Sequence, residues 1–198
     1  MLLLMRPASA RPSCQFWLSE AVALAVVHTL DRYIDNGVSI KWPNDIYWND
    51  RKICGILVEH SLSGGKIDHT IAGIGLNINQ EKFLSDAPNP VSLRQIIGCD
   101  TPLPDVLHHL SEGLLRLVDS LPDNAESLHA EFLSRLYRRN GIHTYRNVAD
   151  RTADHLAAGE ECCAEIADVA PDGILALARP GGSRPRFAFK EVEFVIGK

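Results

Sequence analysis

Long apolar runs are missing from this 198-residue chain. None reaches the roughly 18–20 residues that a membrane-spanning helix needs, so no span and no membrane partner are expected. An excess of basic charge is missing too. Twenty Lys and Arg face 25 Asp and Glu, for a formal net charge of −5. That balance argues against nucleic acid as the main ligand, and no helix-turn-helix with a basic recognition helix is visible, so DNA binding is not expected. A cysteine framework is also absent. The five cysteines (Cys14, Cys54, Cys99, Cys162 and Cys163) are odd in number and show no C-x-x-C spacing. They fit a reducing, cytoplasmic setting better than a disulfide scaffold. The adjacent pair Cys162-Cys163 reads as strand residues, not a redox couple. The opening MLLLMRP is too short for a secretory leader, with no basic start and no cleavage site after it.

What is present is an apolar fraction of 45%, enough for a core in one medium domain, or one domain and a small module. The informative stretch is Lys41 to Gln80. Pro43 cannot donate to a ladder, so the run from Val38 should stop near Trp42. Asn44-Asp45 and Asn49-Asp50 read as turns around a short strand, Ile46-Tyr47-Trp48. Ile53 to Glu59 and Thr70 to Ile78 read as two further strands, joined through a turn at 63–66. The pattern predicts an antiparallel meander.

Two features exceed a plain meander. Polar groups gather at strand ends: Lys41, Asn44, Asp45 and Lys52. Glycines interrupt strands at Gly55, Gly73 and Gly75. Gly73 and Gly75 are two apart, so both leave the same face bare, and bare strand backbone is where a flat ligand can approach. Two nearby lysines could hold a carboxylate or phosphate. Taken singly, each lysine is an ordinary surface group, Asp45 a turn residue and a strand glycine a bulge. Together they indicate a small-molecule pocket for an anionic ligand on an antiparallel sheet.

KWPND, then DRK followed by GILVE, then GIGLNIN, in this order and spacing, resembles the catalytic domain of biotin protein ligases. Those enzymes are also called biotin–[acetyl-CoA-carboxylase] ligases or holocarboxylase synthetases. The resemblance implies an α+β fold: a mostly antiparallel sheet with packed helices, of the class II synthetase-like type, and a small C-terminal SH3-like barrel. It implies activation of biotin with ATP and Mg²⁺ to biotinyl-5′-AMP, then transfer to a lysine of a biotin carboxyl carrier protein. By resemblance, Lys52 contacts the biotin carboxylate and the α-phosphate, and Asp45 accepts the proton of the incoming lysine. Lys41 and Asn44 shape the phosphate and target-lysine end. Gly55, Gly73 and Gly75 offer backbone to the biotin ring, Leu57 packs on it, and Asn77 lies at the nucleotide and metal side. No protein metal cage is expected, since Mg²⁺ usually rides on phosphate oxygens. A homodimer is compatible with the family and is not visible in the sequence.

In that family a stretch like residues 1–7 is an internal strand, preceded by a glycine/arginine-rich GRGRRG-like loop. The resemblance therefore expects this chain to begin partway through the domain, with the loop outside it. Two alternatives stay open: a non-catalytic biotin- or adenylate-binding remnant, and a lipoate or octanoyl transfer enzyme of the same fold. KWPND with DRK speaks against the second.

Outside the motifs, residues 12–36 read as a helix capped by Ser13, with one wide apolar face that includes Phe16, Leu24 and Leu30, and with a stop at Asn36-Gly37. His28 reads as a surface or core histidine. A short turn of helix is expected from Ser92 to Ile97 in a proline-rich loop. A helix from Pro104 to Leu121 should bury Val106, Leu107, Leu110 and Leu114. His108 and His109 look like poor co-ligands, since helix neighbours point about 100° apart. A helix from Asp123 to Arg139 carries a possible Asp123–Glu126 capping box, with Arg135, Arg138 and Arg139 answering its dipole. From Asn140 short β runs alternate with turns and predict a small barrel. Residues 1–139 are expected to form the catalytic domain and 140–198 the barrel.

Overall fold

The structure is a computed structural model that describes residues 1–5, 15–64, 66–84, 89–121 and 123–196. The Ser13 cap, Cys14, Gly65 and Pro88 lie outside the described residues.

The predicted meander forms. Strands β1 (Leu2–Met5), β2 (Val38–Lys41), β3 (Asp45–Trp48), β4 (Arg51–Ser63) and β5 (Lys66–Leu76) make one antiparallel sheet in the order β1-β5-β4-β3-β2. β4 and β5 are longer than their apolar runs because the hairpin pairs right up to Ser63 and Lys66. Period-2 alternation sends Ile56, Ala72 and Ile74 to the core, while Leu57 and Glu59 stay exposed on the other face.

Helix α1 (Gln15–Leu30) lies under the core side. It ends earlier than the sequence pattern, in a tightened turn where Tyr33 N–H donates to Leu30 O at 2.9 Å. Ala21 through Val27 are all buried, so the helix has no solvent stripe. The reason is tertiary. α1 meets β2, β3 and β4 on one side and helices α3 (Leu103–Asp119) and α4 (Ala125–Ser134) on the other. A helix covered all round reads as apolar all round.

The short helix α2 (Leu93–Ile97) carries a complete capping box between Ser92 and Gln95. On α3, Val106, Leu110 and Leu114 are buried as expected, but Leu107 is exposed. The Asp123–Glu126 box does not form. α4 starts one residue later, Asn124 takes the cap position, and no side chain bonds there. Two arginines differ as well. α4 stops at Ser134, so Arg138 and Arg139 lie beyond its dipole. Arg138 donates to Val195 O at 3.0 Å, and Arg139 to Ile166 O at 2.8 Å. Arg135 pairs with Asp31 at 2.7 Å.

A second antiparallel sheet follows: β6 (His143–Asn147), β7 (Glu161–Val169), β8 (Leu175–Ala178), β9 (Arg186–Phe187) and β10 (Val192–Phe194), in the order β10-β6-β7-β8-β9. Among the described residues its edge strands β9 and β10 do not pair, so the expected barrel is not closed. Strand alternation buries Cys162 and exposes Cys163, which removes them as a redox couple. Trp42 ties the two sheets together, its indole N–H donating to Gly173 O at 3.0 Å. No helix among the described residues is long and apolar enough to cross a membrane.

Candidate functional site

Pro43 ends β2, and the chain turns at Asn44 before β3 begins. Asn44 is stapled to β4 in both directions. Its side-chain amide donates to Ile56 O at 2.6 Å, and its carbonyl accepts from Ile56 N–H at 3.0 Å. The next residue, Asp45, is thereby aimed at Lys52. The Lys52 ammonium lies 2.6 Å from Asp45 Oδ1, with about a quarter of each side chain open to solvent (30% and 23%). Lys52 is fixed by its backbone too. Its N–H donates to Asn89 O and its carbonyl accepts from Val91 N–H, both at 2.9 Å.

The strand register explains the glycines. Gly55 lies directly across from Asp45 on one side and Gly75 on the other, and Gly73 lies across from Leu57. The bare backbone is one continuous floor over two strands. Gly55 has an added duty. A Cβ there would stand 3.3 Å from both Cε and Nζ of Lys52, so its absence gives the lysine room to cross the strand toward Asp45. Leu57, 56% exposed, stands beside the floor as an unpacked apolar wall.

These groups surround one open cleft of about 650 Å³. Of the residues singled out from sequence, Asn44, Asp45, Lys52, Gly55, Leu57, Gly73 and Gly75 line it. Lys41 and Asn77 do not. Lys41 sits behind Asp45, across the β2–β3 ladder, with its ammonium 5.3 Å from the ring centres of Tyr47 and Phe194. Burial lowers its pKa, Asp45 opposes that shift, and Lys52 adds to it. Burial also pushes the Tyr47 hydroxyl up to about 12. Asn77 is a brace. Its amide donates to Val91 O at 3.1 Å, and Val91 in turn holds the Lys52 carbonyl.

Sequence reasoning missed four lining residues. Met1, Ile56 and Ile74 belong to the same sheet, and the two isoleucines alternate with the glycines. Phe189 comes from the C-terminal sheet, and no local pattern marks it. Away from the cleft, ligand atoms of His108, His109 and Glu112 lie within 4.8 Å of one another on α3. Side-chain rotamers thus overcome the angular separation expected of helix neighbours.

The arrangement offers a cation and a carboxylate already in contact, beside a flat unsubstituted floor and an apolar wall. An arriving carboxylate or phosphate can take over the ammonium of Lys52 and leave Asp45 free to accept a proton.

Residues 2–77 match the model of the "Biotin/lipoate A/B protein ligase family". The "Bifunctional ligase/repressor BirA" of Bacillus subtilis is 34% identical over 98 residues, which is 47% of this chain and 30% of that protein. "Biotin--protein ligase 2" of Arabidopsis thaliana is 40% identical over 73 residues, 36% of this chain and 22% of that protein. The matched segments thus span less than a third of these relatives. Among solved structures, the apo biotin protein ligase from Aquifex aeolicus superposes with a TM-score of 0.75 at 18% identity, covering 99% of this chain and 81% of that one. The same enzyme in complex with biotin and ATP gives 0.75 at 19%, covering 98% and 77%. At such identities the superpositions establish the fold.

Proposed function

We propose that this chain, whose residues 2–77 match the model of the biotin/lipoate A/B protein ligase family, activates biotin as biotinyl-5′-AMP and transfers it to a lysine of a biotin carboxyl carrier protein. The observation that carries the reading is the Lys52–Asp45 contact at 2.6 Å beside the three-glycine floor.

In the first step the biotin carboxylate attacks the α-phosphorus of ATP. A P–O bond forms and pyrophosphate leaves. Negative charge builds on the phosphoryl oxygens, and Lys52 is a fixed cation placed to meet it. Lys41 adds a second positive group behind Asp45. The glycine floor receives the biotin ring system, and Leu57 covers part of it. In the second step a neutral lysine amine attacks the acyl carbon of the mixed anhydride. The C–N bond forms, the bond to AMP breaks, and Asp45 takes the amine proton. Asp45 is the one carboxylate among the described lining residues, and it already faces Lys52. That donor set fits a Mg²⁺ carried on phosphate oxygens and not a protein cage. We read the C-terminal sheet as the counterpart of the family's SH3-like module, with the division near residue 140.

The test is mass detection of biotinyl-AMP after mixing the chain with biotin and MgATP. Lys52→Ala is expected to abolish adenylate while its circular dichroism and melting stay close to wild type. Undiminished adenylate in that variant would overturn the assignment. Biotin binding by the unaltered chain without adenylate would favour the non-catalytic binding alternative.

A further inference from the structure

We propose that His108, His109 and Glu112 form a surface site for one divalent transition-metal ion of the zinc class, on the outer face of α3. Their ligand atoms all lie within 4.8 Å of one another. None of the three lines the cleft.

The helix builds the geometry. Side chains step about 100° per residue around an α-helix, so Glu112 falls between the two histidines, about 40° from His108 and about 60° from His109, one turn further along. Helical side chains lean toward the N-terminus, which brings the Glu112 carboxylate back over the pair. The imidazole ring centres are 5.6 Å apart, and His108 Nε2 is 4.0 Å from Glu112 Oε2. A tetrahedral ion about 2.0–2.2 Å from each ligand holds those atoms roughly 3.3 Å apart. Small rotations about side-chain torsions close that gap without moving the backbone. The backbone is held from the inner side, where Val106, Leu110 and Leu114 are buried and α3 packs on α1. The ligand atoms are also uncommitted. The side chains of His28, His60, His69, His129 and His143 each make a hydrogen bond of 2.9 Å or less. Among the described residues the side chains of His108, His109 and Glu112 make none, and the 4.0 Å contact is their one ion pair.

Donor chemistry names the class of ion. Two imidazole nitrogens and one carboxylate oxygen suit Zn²⁺, Ni²⁺, Co²⁺ and Cu²⁺, whereas Mg²⁺ and Ca²⁺ take oxygen donors. Three protein ligands leave the remaining position to water. An ion bound there ties residues 108 and 109 to 112 across one turn of α3, and so stabilises the folded chain by mass action.

The experiment is calorimetric titration of the untagged 198-residue chain at neutral pH with ZnCl₂ and, separately, with MgCl₂. Thermal melting with and without Zn²⁺ accompanies it. One Zn²⁺ per chain is expected to bind at micromolar concentration, with no Mg²⁺ binding there. Saturating Zn²⁺ should raise Tm by about 3 °C or more. His108→Ala, His109→Ala and Glu112→Gln should each raise the Zn²⁺ Kd about tenfold or more and remove the Tm shift. Glu112→His supplies a third imidazole and should bind Zn²⁺ at least as tightly as the unaltered chain. His108 and Glu112 are exposed and His109 is half-buried, so metal-free melting of these variants should match the unaltered chain. A Cys99→Ser, Cys163→Ser double variant removes two exposed thiols that also bind zinc, and it should keep the full response. The proposal is overturned if the chain takes up no Zn²⁺ at micromolar concentration, or if His108→Ala and His109→Ala bind it as tightly as the unaltered chain. Loss of binding in the thiol-free variant, or Mg²⁺ binding of similar strength, also overturns it.

Discussion

The Lys52 ammonium depends on a missing atom. Gly55 has no Cβ, and a methyl there would press on Cε and Nζ at 3.3 Å. The lysine end is flexible, so Gly55→Ala should cost less than about 1 kcal/mol of stability. It should still slow adenylate formation by up to about tenfold, because displacing a reacting cation by part of an ångström is expensive in rate. Unchanged single-turnover rates in Gly55→Ala would show that Lys52 needs no such clearance. Asp45 makes a separate prediction. Asp45→Asn keeps the shape and removes the proton acceptor, so transfer to the carrier lysine should fall by about 10²-fold or more, well beyond the fall in adenylation. Equal losses in both half-reactions would remove its role as base. Asp45, Lys52 and the glycines were legible in the sequence because polar groups and glycines are out of place in strands. Asn77 was singled out only through the family resemblance, and its part as a brace was not legible, since its partner Val91 is reached only through the fold.

At the scale of elements, α1 holds the main anomaly. Glu20 is fully buried among its apolar residues, and one oxygen shares a hydrogen bond with His129 Nδ1 on α4 at 2.7 Å. Its other oxygen has no partner among the described residues. Burial raises its pKa to about 7, with His129 pulling the other way. A carboxyl with a folded pKa above its unfolded value of 4.5 stabilises the fold fully below about pH 4.5. That contribution is lost as pH rises through about 7. Unfolding free energy should therefore fall between pH 5 and 8 by an amount on the order of 2–3 kcal/mol from this group. Glu20→Gln should flatten that slope in urea titrations at the two pH values. An unaltered slope would assign the dependence to another group. The helix itself was readable from its apolar residues. Its full enclosure was not, because periodicity reports one face and cannot count the elements that will cover the others.

At the scale of the molecule, the two sheets meet at Gly173. Its carbonyl accepts from Trp42, its φ is +85°, and a Cβ would stand 2.7 Å from the Phe16 ring. Gly173→Ala should destabilise the chain by about 2 kcal/mol or more, from left-handed strain and overpacking together. Gly182, also at φ +85° but with open space around it, supplies the control. Gly182→Ala should show the strain alone, at about 1–2 kcal/mol. Equal losses in the two variants would mean that the Phe16 contact carries no cost.

The sequence by itself determined the meander, its turns, the main helices and six of the cleft residues, with Leu57 added by the family resemblance, because alternation, proline, Asn-Asp turns and misplaced glycines act over a few residues and leave local marks. Tertiary structure alone decided that Gly55 lies across from both Asp45 and Gly75, that Arg138 and Arg139 hold the second sheet and not a helix end, and that Phe189 reaches the cleft. Each of these is a contact between residues far apart in the chain. The free energy that selects such a contact comes from closing loops and burying faces together, and no single stretch of sequence carries it.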